Sequence, residues 1–301
     1  MPPEATDNAS RTPSRVPPGD AAVAVGPHGV WVDAEYRPAL ERAGLTTFED
    51  LMTRHGGEQL RALADRENWR MEVVAASGER SKAYLKKHRR HDAVTRLRRR
   101  FGRPPATSPG RYEAEMLWRL AHDGIPAMRL IAFGEKFYDD GRCESFLLTE
   151  DLAGFTQLDH FLRKRFAERA TRGTTGRDHE LSRLIEEVAD AAARFHSHGY
   201  NHRALYCCHF FIRARARGAF DVHRIDLPRV TARRPSRHRW MVKDLAQLAY
   251  SAPRERIGCT ERMGFVKRYM GVRKLRPADK RLIRQVLAKQ QRMEAKLGPH
   301  P

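Results

Sequence analysis

The residues with the clearest chemical use lie between Asn201 and Arg229, in the run NHRALYCCHFFIRARARGAFDVHRIDLPR. His202, Arg203 and His209 place imidazole and guanidinium groups in a short loop after Gly199, where a helix is expected to end. An apolar run through Cys207, Cys208, Phe210, Phe211 and Ile212 turns at Gly218 and returns through Phe220, Val222 and Ile225 to Asp226. This pattern predicts a loop feeding a β-hairpin whose far end presents a carboxylate. Phosphoryl transfer uses such an arrangement, because a catalytic loop and a metal-holding Asp must lie side by side under nucleotide phosphates. Set between Ile225 and Leu227, Asp226 is expected to be flanked by burial and so to need a cation or a donor. Mg2+ meets that need through carboxylate oxygen and substrate phosphates. Zinc does not fit, since Cys207 and Cys208 are adjacent and no second pair of spaced cysteines exists.

Other elements must position this loop. Leu181, Leu184, Ile185, Val188, Ala192 and Phe195 recur at helical spacing and predict a core helix that anchors the loop from its N-terminal side. Further helices are expected over Leu158 to Ala167, from Trp240 through Ala249, and over Cys259 to Met270 and Pro277 to Leu297. Towards the N-terminus, a helix around Tyr36 to Ala43 ends at Gly44, and strands are expected over Gln59 to Ala64, Trp69 to Ala75 and Lys82 to Lys86. The turn between the first two, Asp65 to Asn68, has no glycine to let backbone N–H groups approach a phosphate. Arg89 to Arg111 reads as an exposed basic connection, followed by an amphipathic helix over Tyr112 to Ala121 and an apolar strand from Ser145. The fold class is therefore α+β.

His202-Arg203-Ala204, Tyr206, Cys208-His209-Phe210 and Ile225-Asp226-Leu227 with Arg229 resemble the active-site segment of the lipopolysaccharide core kinases. That is the heptose and Kdo sugar kinase family, which has a protein-kinase-like bilobal fold. Residues 1–28, rich in Pro, Ala and Ser with few large apolar side chains to bury, are expected to form a disordered tail, and the resemblance implies an N-lobe with an N-terminal extension over 29–150 and a C-lobe over 151–301. It implies that Lys86, in Tyr84-Leu85-Lys86-Lys87-His88, holds the phosphates of ATP and that a helix carboxylate pairs with it. Glu113 matches that carboxylate and Glu115 is the alternative, because residues two apart on a helix point about 200° from each other. The backbone of Glu150 to Leu152 would receive the adenine, Asp226 would hold Mg2+, and Asp244 would brace the loop by hydrogen bonds. His202 and Arg203 would shape the loop, and His209 would take a phosphate-facing or supporting role. Where the family has HRD this chain has HRA, so Ala204 occupies the position of the catalytic base.

The implied function is ATP-dependent phosphorylation of a core sugar hydroxyl of lipopolysaccharide. The alternative is a pseudokinase that binds nucleotide or a partner without transferring phosphate. A net charge of +20 over 301 residues demands an anionic partner: lipopolysaccharide core, another anionic glycolipid or an anionic membrane surface. Nucleic acid is disfavoured, because no recognisable reading motif accompanies the charge. Four cysteines in a chain of this size read as reduced core or near-core residues. With no signal peptide in the first residues and no long apolar window, the expected location is the cytoplasm, with peripheral contact at the inner face of the membrane.

Overall fold

The structure, a computed structural model, describes residues 30–298 apart from 75–77, 79, 92–93, 95–96, 99–100, 102–106, 139, 167–178 and 233–236. The tail expected over 1–28 therefore lies outside the described residues. The chain divides into two compact units, one holding Arg129–Asp151 and everything up to Gly124, the other Ile125–Met128 and Leu152 onwards.

The first unit is built on a six-stranded antiparallel sheet. Its strands are β1 (Val30–Val32), β2 (Glu58–Leu63), β3 (Arg66–Val74), β4 (Arg80–His91), β5 (Leu130–Phe137) and β6 (Arg142–Glu150), in the order β1-β5-β6-β4-β3-β2. Two short helices, α1 (Arg37–Arg42) and α2 (Phe48–Thr53), contribute Leu40, Phe48 and Leu51 to a core shared with Met71, Leu85, Phe146 and Leu148. A capping box starts α2: Thr47 Oγ1 accepts from the Asp50 N–H at 3.1 Å, and Asp50 Oδ2 accepts from the Thr47 N–H at 2.8 Å.

Helix α3 (Pro109–His122) begins at Ser108, whose Oγ accepts from the Arg111 N–H at 3.0 Å, with Pro109 in the first turn. Gly110 lets this first turn lie directly on β6. A Cβ there would stand 2.9 Å from the Ser145 Cβ, and the Gly110 N–H donates to Ser145 Oγ at 3.1 Å. One turn later comes Glu113.

Two expectations for this unit are corrected. The turn lies at Ala64 and Asp65, and Arg66 to Asn68 already pair across β3 and β4, because β2 and β3 form a tight hairpin with Leu63 opposite Arg66. The basic connection is shorter at both ends: Arg89 to His91 extend β4 opposite Glu144, Cys143 and Arg142, and Pro109 to Arg111 belong to α3.

In the second unit, α4 (Leu158–Arg165) and α5 (His179–Ser197) bury Leu158, Leu162, Leu184 and Val188 with Phe210, Ile212 and Phe220 of the hairpin. The hairpin is β9 (Phe210–Ala214) with β10 (Phe220–Arg224), and β7 (Thr156–Gln157) pairs with the outer edge of β9. Gly218 turns the hairpin at φ +71°. A small pair, β8 (Tyr200–Asn201) with β11 (Thr231–Ala232), brackets the loop and hairpin. Helices α6 (Arg237–Ser251), α7 (Cys259–Met270) and α8 (Pro277–Leu297) complete the unit. Cys143 and Cys207 are buried, but Cys259 opens α7 on the surface and is not a core residue.

Replacing Leu85, fully buried at the centre of the sheet, should show how far the first unit depends on its core. Leu85→Ala is expected to cost roughly 2–5 kcal/mol, read as a lowered urea midpoint at unchanged m-value.

Candidate active site

Strand periodicity places the lysine. Along β4, Ala83, Leu85 and Lys87 are buried while Tyr84, Lys86 and His88 take the opposite face. Lys87 Nζ donates to the Arg54 carbonyl at 2.5 Å, and burial pushes its ammonium down to about 8. Lys86 lies on the face that α3 covers, and its Nζ is 2.6 Å from Glu113 Oε1. The Glu113 side chain is 1% exposed and that of Lys86 19%, so a buried carboxylate fixes an ammonium that still reaches solvent. Of the two carboxylates open from sequence, the structure pairs Glu113. Where the chain leaves β6, the Glu150 N–H donates to Arg129 O at 2.9 Å and the Asp151 N–H to Lys82 O at 2.8 Å. Among the described residues, no backbone carbonyl takes the Leu152 N–H.

In the second unit the loop is held from below by one helix face. Asp244, fully buried on α6, accepts from the His202 N–H through Oδ2 and from the Arg203 N–H through Oδ1, both at 2.7 Å. Gln247 Oε1 accepts from the Leu205 N–H at 3.2 Å, and Ser251 Oγ accepts from the Cys207 N–H at 2.8 Å. Lys243 Nζ donates to the Arg203 carbonyl at 2.8 Å. The brace expected of Asp244 is therefore present, whereas the roles of Lys243, Gln247 and Ser251 were missed. Their signal was a polar stripe recurring at three and four residues on a helix otherwise rich in Leu, Ala and Tyr.

His202 is buried, and its Nε2–H donates to the Ile225 carbonyl at 3.0 Å, tying the loop to the end of the hairpin. Burial, with His209 nearby, pushes its imidazole down to about 4. Arg203 spreads its guanidinium over the Trp240 ring, 4.2 Å from the centroid. Ala204 is buried and offers only its carbonyl, which accepts from His209 Nδ1 at 2.6 Å.

Asp226 departs from expectation. It lies beyond the end of β10, and its side chain is 49% exposed, so it is not a buried carboxylate. Its backbone is unusual instead. Among the described residues, Arg203 at φ 64° and Asp226 at φ 62° are the two non-glycine positions with positive φ. Such conformations cost about 1–3 kcal/mol each and cluster at functional sites. Among the described residues, the basic side chain within 4 Å of Asp226 is that of His209, whose Nε2 is 3.6 Å from Oδ2. A reachable carboxylate with no Lys or Arg ion pair among the described residues, in a chain of +20 charge, has the donor chemistry a hard cation such as Mg2+ requires.

The sequence pattern of the lipopolysaccharide kinase (Kdo/WaaP) family matches residues 53–269. The chain belongs to that family. Among its relatives, the lipopolysaccharide core heptose(I) kinase WaaP of Pseudomonas aeruginosa is 33% identical over 162 residues, 53% of this chain and 58% of that protein. That match thus spans less than two thirds of the Pseudomonas protein. WaaP of Escherichia coli K12 is 32% identical over 190 residues, 60% of this chain and 68% of its own. Another Escherichia coli WaaP is 31% identical over 223 residues, 73% and 78%. A solved structure of WaaP in complex with acyl carrier protein aligns with a TM-score of 0.65 at 28% identity, covering 89% of this chain and 98% of that one. The α+β fold of the family, with a β-rich first part and a mainly helical second part, is therefore established for this chain.

His88, His202 and His223 are all pushed down to about 4 by burial, so the folded chain keeps them neutral where the unfolded chain, near 6.5, takes up protons. Stability contributed by their burial is complete above pH 6.5 and is lost as pH falls towards 4. His202→Gln should flatten that slope by about one proton in urea titrations repeated across this window.

Proposed function

We propose that the chain is an ATP-dependent kinase that phosphorylates a core sugar hydroxyl, heptose or Kdo, of lipopolysaccharide. The Lys86–Glu113 ion pair carries this reading, because a lysine held by a buried carboxylate yet open to solvent is a fixed phosphate-binding charge. Lys86 would hold the ATP phosphates, and the backbone of Glu150 to Leu152 would receive the adenine, with the Leu152 N–H left to donate. Asp226 would hold Mg2+, which when bound neutralises phosphate charge. His202 and Arg203 shape the loop over which the acceptor hydroxyl would sit. Family membership and the names of the WaaP relatives support the substrate class.

Ala204 favours the second reading, a pseudokinase, since its methyl group accepts no proton. Loss of a positioned base costs roughly 10²–10⁴ in rate, while phosphoryl transfer depends mostly on positioning and electrostatics. The acceptor is anionic and the chain carries +20, so peripheral contact with an anionic membrane at its cytoplasmic face accompanies the proposal. Among the described residues, no helix is long and apolar enough to cross a membrane.

A cavity in the second unit favours one further partner. It measures about 320 Å³ and is lined by apolar side chains including Leu184, Val188, Leu248, Phe265 and Ile283. Exposed Met263 and Leu287 also line it, so it reaches the surface. Because the solved WaaP structure holds acyl carrier protein, we include an acylated carrier protein among this chain's partners, its acyl chain entering the cavity.

Mg2+-dependent ATP binding is expected for the unmodified chain, weakened at least ~10-fold by Lys86→Met. Phosphate transfer onto core acceptor should rise by roughly 10²-fold or more in Ala204→Asp if the base alone is missing. Absence of ATP binding would refute the kinase reading, and binding without transfer in both forms would favour the pseudokinase. Acylated carrier protein should raise the melting temperature of the chain where the unacylated form does not, and Val188→Trp should abolish the difference.

A further inference from the structure

We propose that the first two turns of α6 and the neighbouring loop form a subsite for an anionic group of the acceptor, a carboxylate or a phosphate, where Arg203, Arg239 and Lys243 converge around the ring of Trp240. This deepens the kinase reading above and rests on it.

Like charges crowd around one ring. The Arg203 guanidinium carbon stands 4.2 Å from the Trp240 centroid, Lys243 Nζ 5.3 Å and the Arg239 guanidinium carbon 5.4 Å. Each cation gains a little from the ring, but three cations gathered on it repel one another. Arg229 and Lys289 add to the same field. Burial first, and after it the charges of Arg203, Arg229 and Lys289, hold the Lys243 ammonium below its usual range, although Asp244 works the other way. Among the described residues, none of these five cations forms an ion pair with Asp or Glu. The oxygens of Asp244 are already engaged by the His202 and Arg203 N–H groups. Helix α6 opens with Arg237, His238 and Arg239 and has no carboxylate in its first turn, so the positive end of its dipole reinforces the field.

The donors are uncommitted as well. Among the described residues, the Arg203 guanidinium donates no hydrogen bond, and its Nε is buried without a partner. Lys243 Nζ spends one donor on the Arg203 carbonyl at 2.8 Å, and an ammonium has three. Arg239 is exposed. Guanidinium forks match the paired oxygens of a carboxylate or phosphate, and such charge-assisted bonds are the strong ones. Place selects the acceptor as their source. Arg203 precedes Ala204, which occupies the position of the catalytic base and so belongs beside the acceptor hydroxyl. Its backbone is fixed on both sides, the N–H by Asp244 and the carbonyl by Lys243. An anion held on Arg203 therefore orients the acceptor one residue from its reacting hydroxyl. With alanine at the base position, such positioning carries a larger share of catalysis.

The test titrates core oligosaccharide freed of its acyl chains into the full chain by calorimetry, with Mg2+ and a non-hydrolysable ATP analogue present. Three forms are compared: the native oligosaccharide, one with its carboxylates reduced to alcohols, and one with its phosphates removed. The native form is expected to bind at least ~10-fold more tightly than one of the stripped forms, and which one identifies the anion. This comparison uses the unmodified chain, so it stands even if a variant misfolds. Arg239→Glu is expected to close the gap, while the same charge reversal at exposed Lys164 on α4 leaves it open. Equal affinity for all three forms, a gap that survives Arg239→Glu, or one that Lys164→Glu closes equally would overturn the subsite and leave the kinase reading standing. Failure of every form to bind would overturn both.

Discussion

A buried carboxylate that accepts two consecutive backbone amides is the constraint on which the second unit's chemistry depends. Asp244 is fully buried and takes the His202 and Arg203 N–H groups at 2.7 Å each, with His196 Nε2 at 3.4 Å. A charged acceptor in a low-dielectric site makes such bonds strong, and leaving it unpaired would be costly. The two amides can converge on one carboxylate only if the chain bends sharply between them, and Arg203 takes φ 64°. That bend sends His202 inward to the Ile225 carbonyl and sends the Ala204 carbonyl towards His209. Everything at the hairpin end, Asp226 included, is tied to this turn.

The first unit solves a different problem, keeping an ammonium charged and aimed while partly covered. Alternation along β4 gives Lys86 and Lys87 opposite fates, one paired with Glu113 and one buried against the Arg54 carbonyl. The glycine at position 110 sets the height of α3 above the sheet, and so the reach from Glu113 to Lys86. Packing and electrostatics are here the same decision.

Much of this was legible in the sequence, and for identifiable reasons. The stripe from Leu181 to Phe195, the Gly218 hairpin and the terminal helices follow from periodicity and turn chemistry, which are local. Choosing Glu113 over Glu115 needed helix phase relative to a distant strand, which letters do not carry. The exposure of Asp226 was not legible because apolar neighbours say nothing about a side chain once the strand has ended; Leu227 is buried, whereas Ile225 and Asp226 are both partly exposed. The stripe Lys243, Asp244, Gln247 and Ser251 was readable, yet its meaning required the loop it serves. Ala204 was plain from the start, and its consequence belongs to chemistry rather than to fold.

The account's central claim is that Asp244 holds the loop in its bent form. Amide hydrogen exchange of His202 and Arg203 in Asp244→Asn measures this most directly, with exchange along α5 as the internal reference. The account predicts that protection at these two amides collapses, by ~10²-fold or more, while α5 stays protected. Unchanged protection at His202 and Arg203 would contradict it.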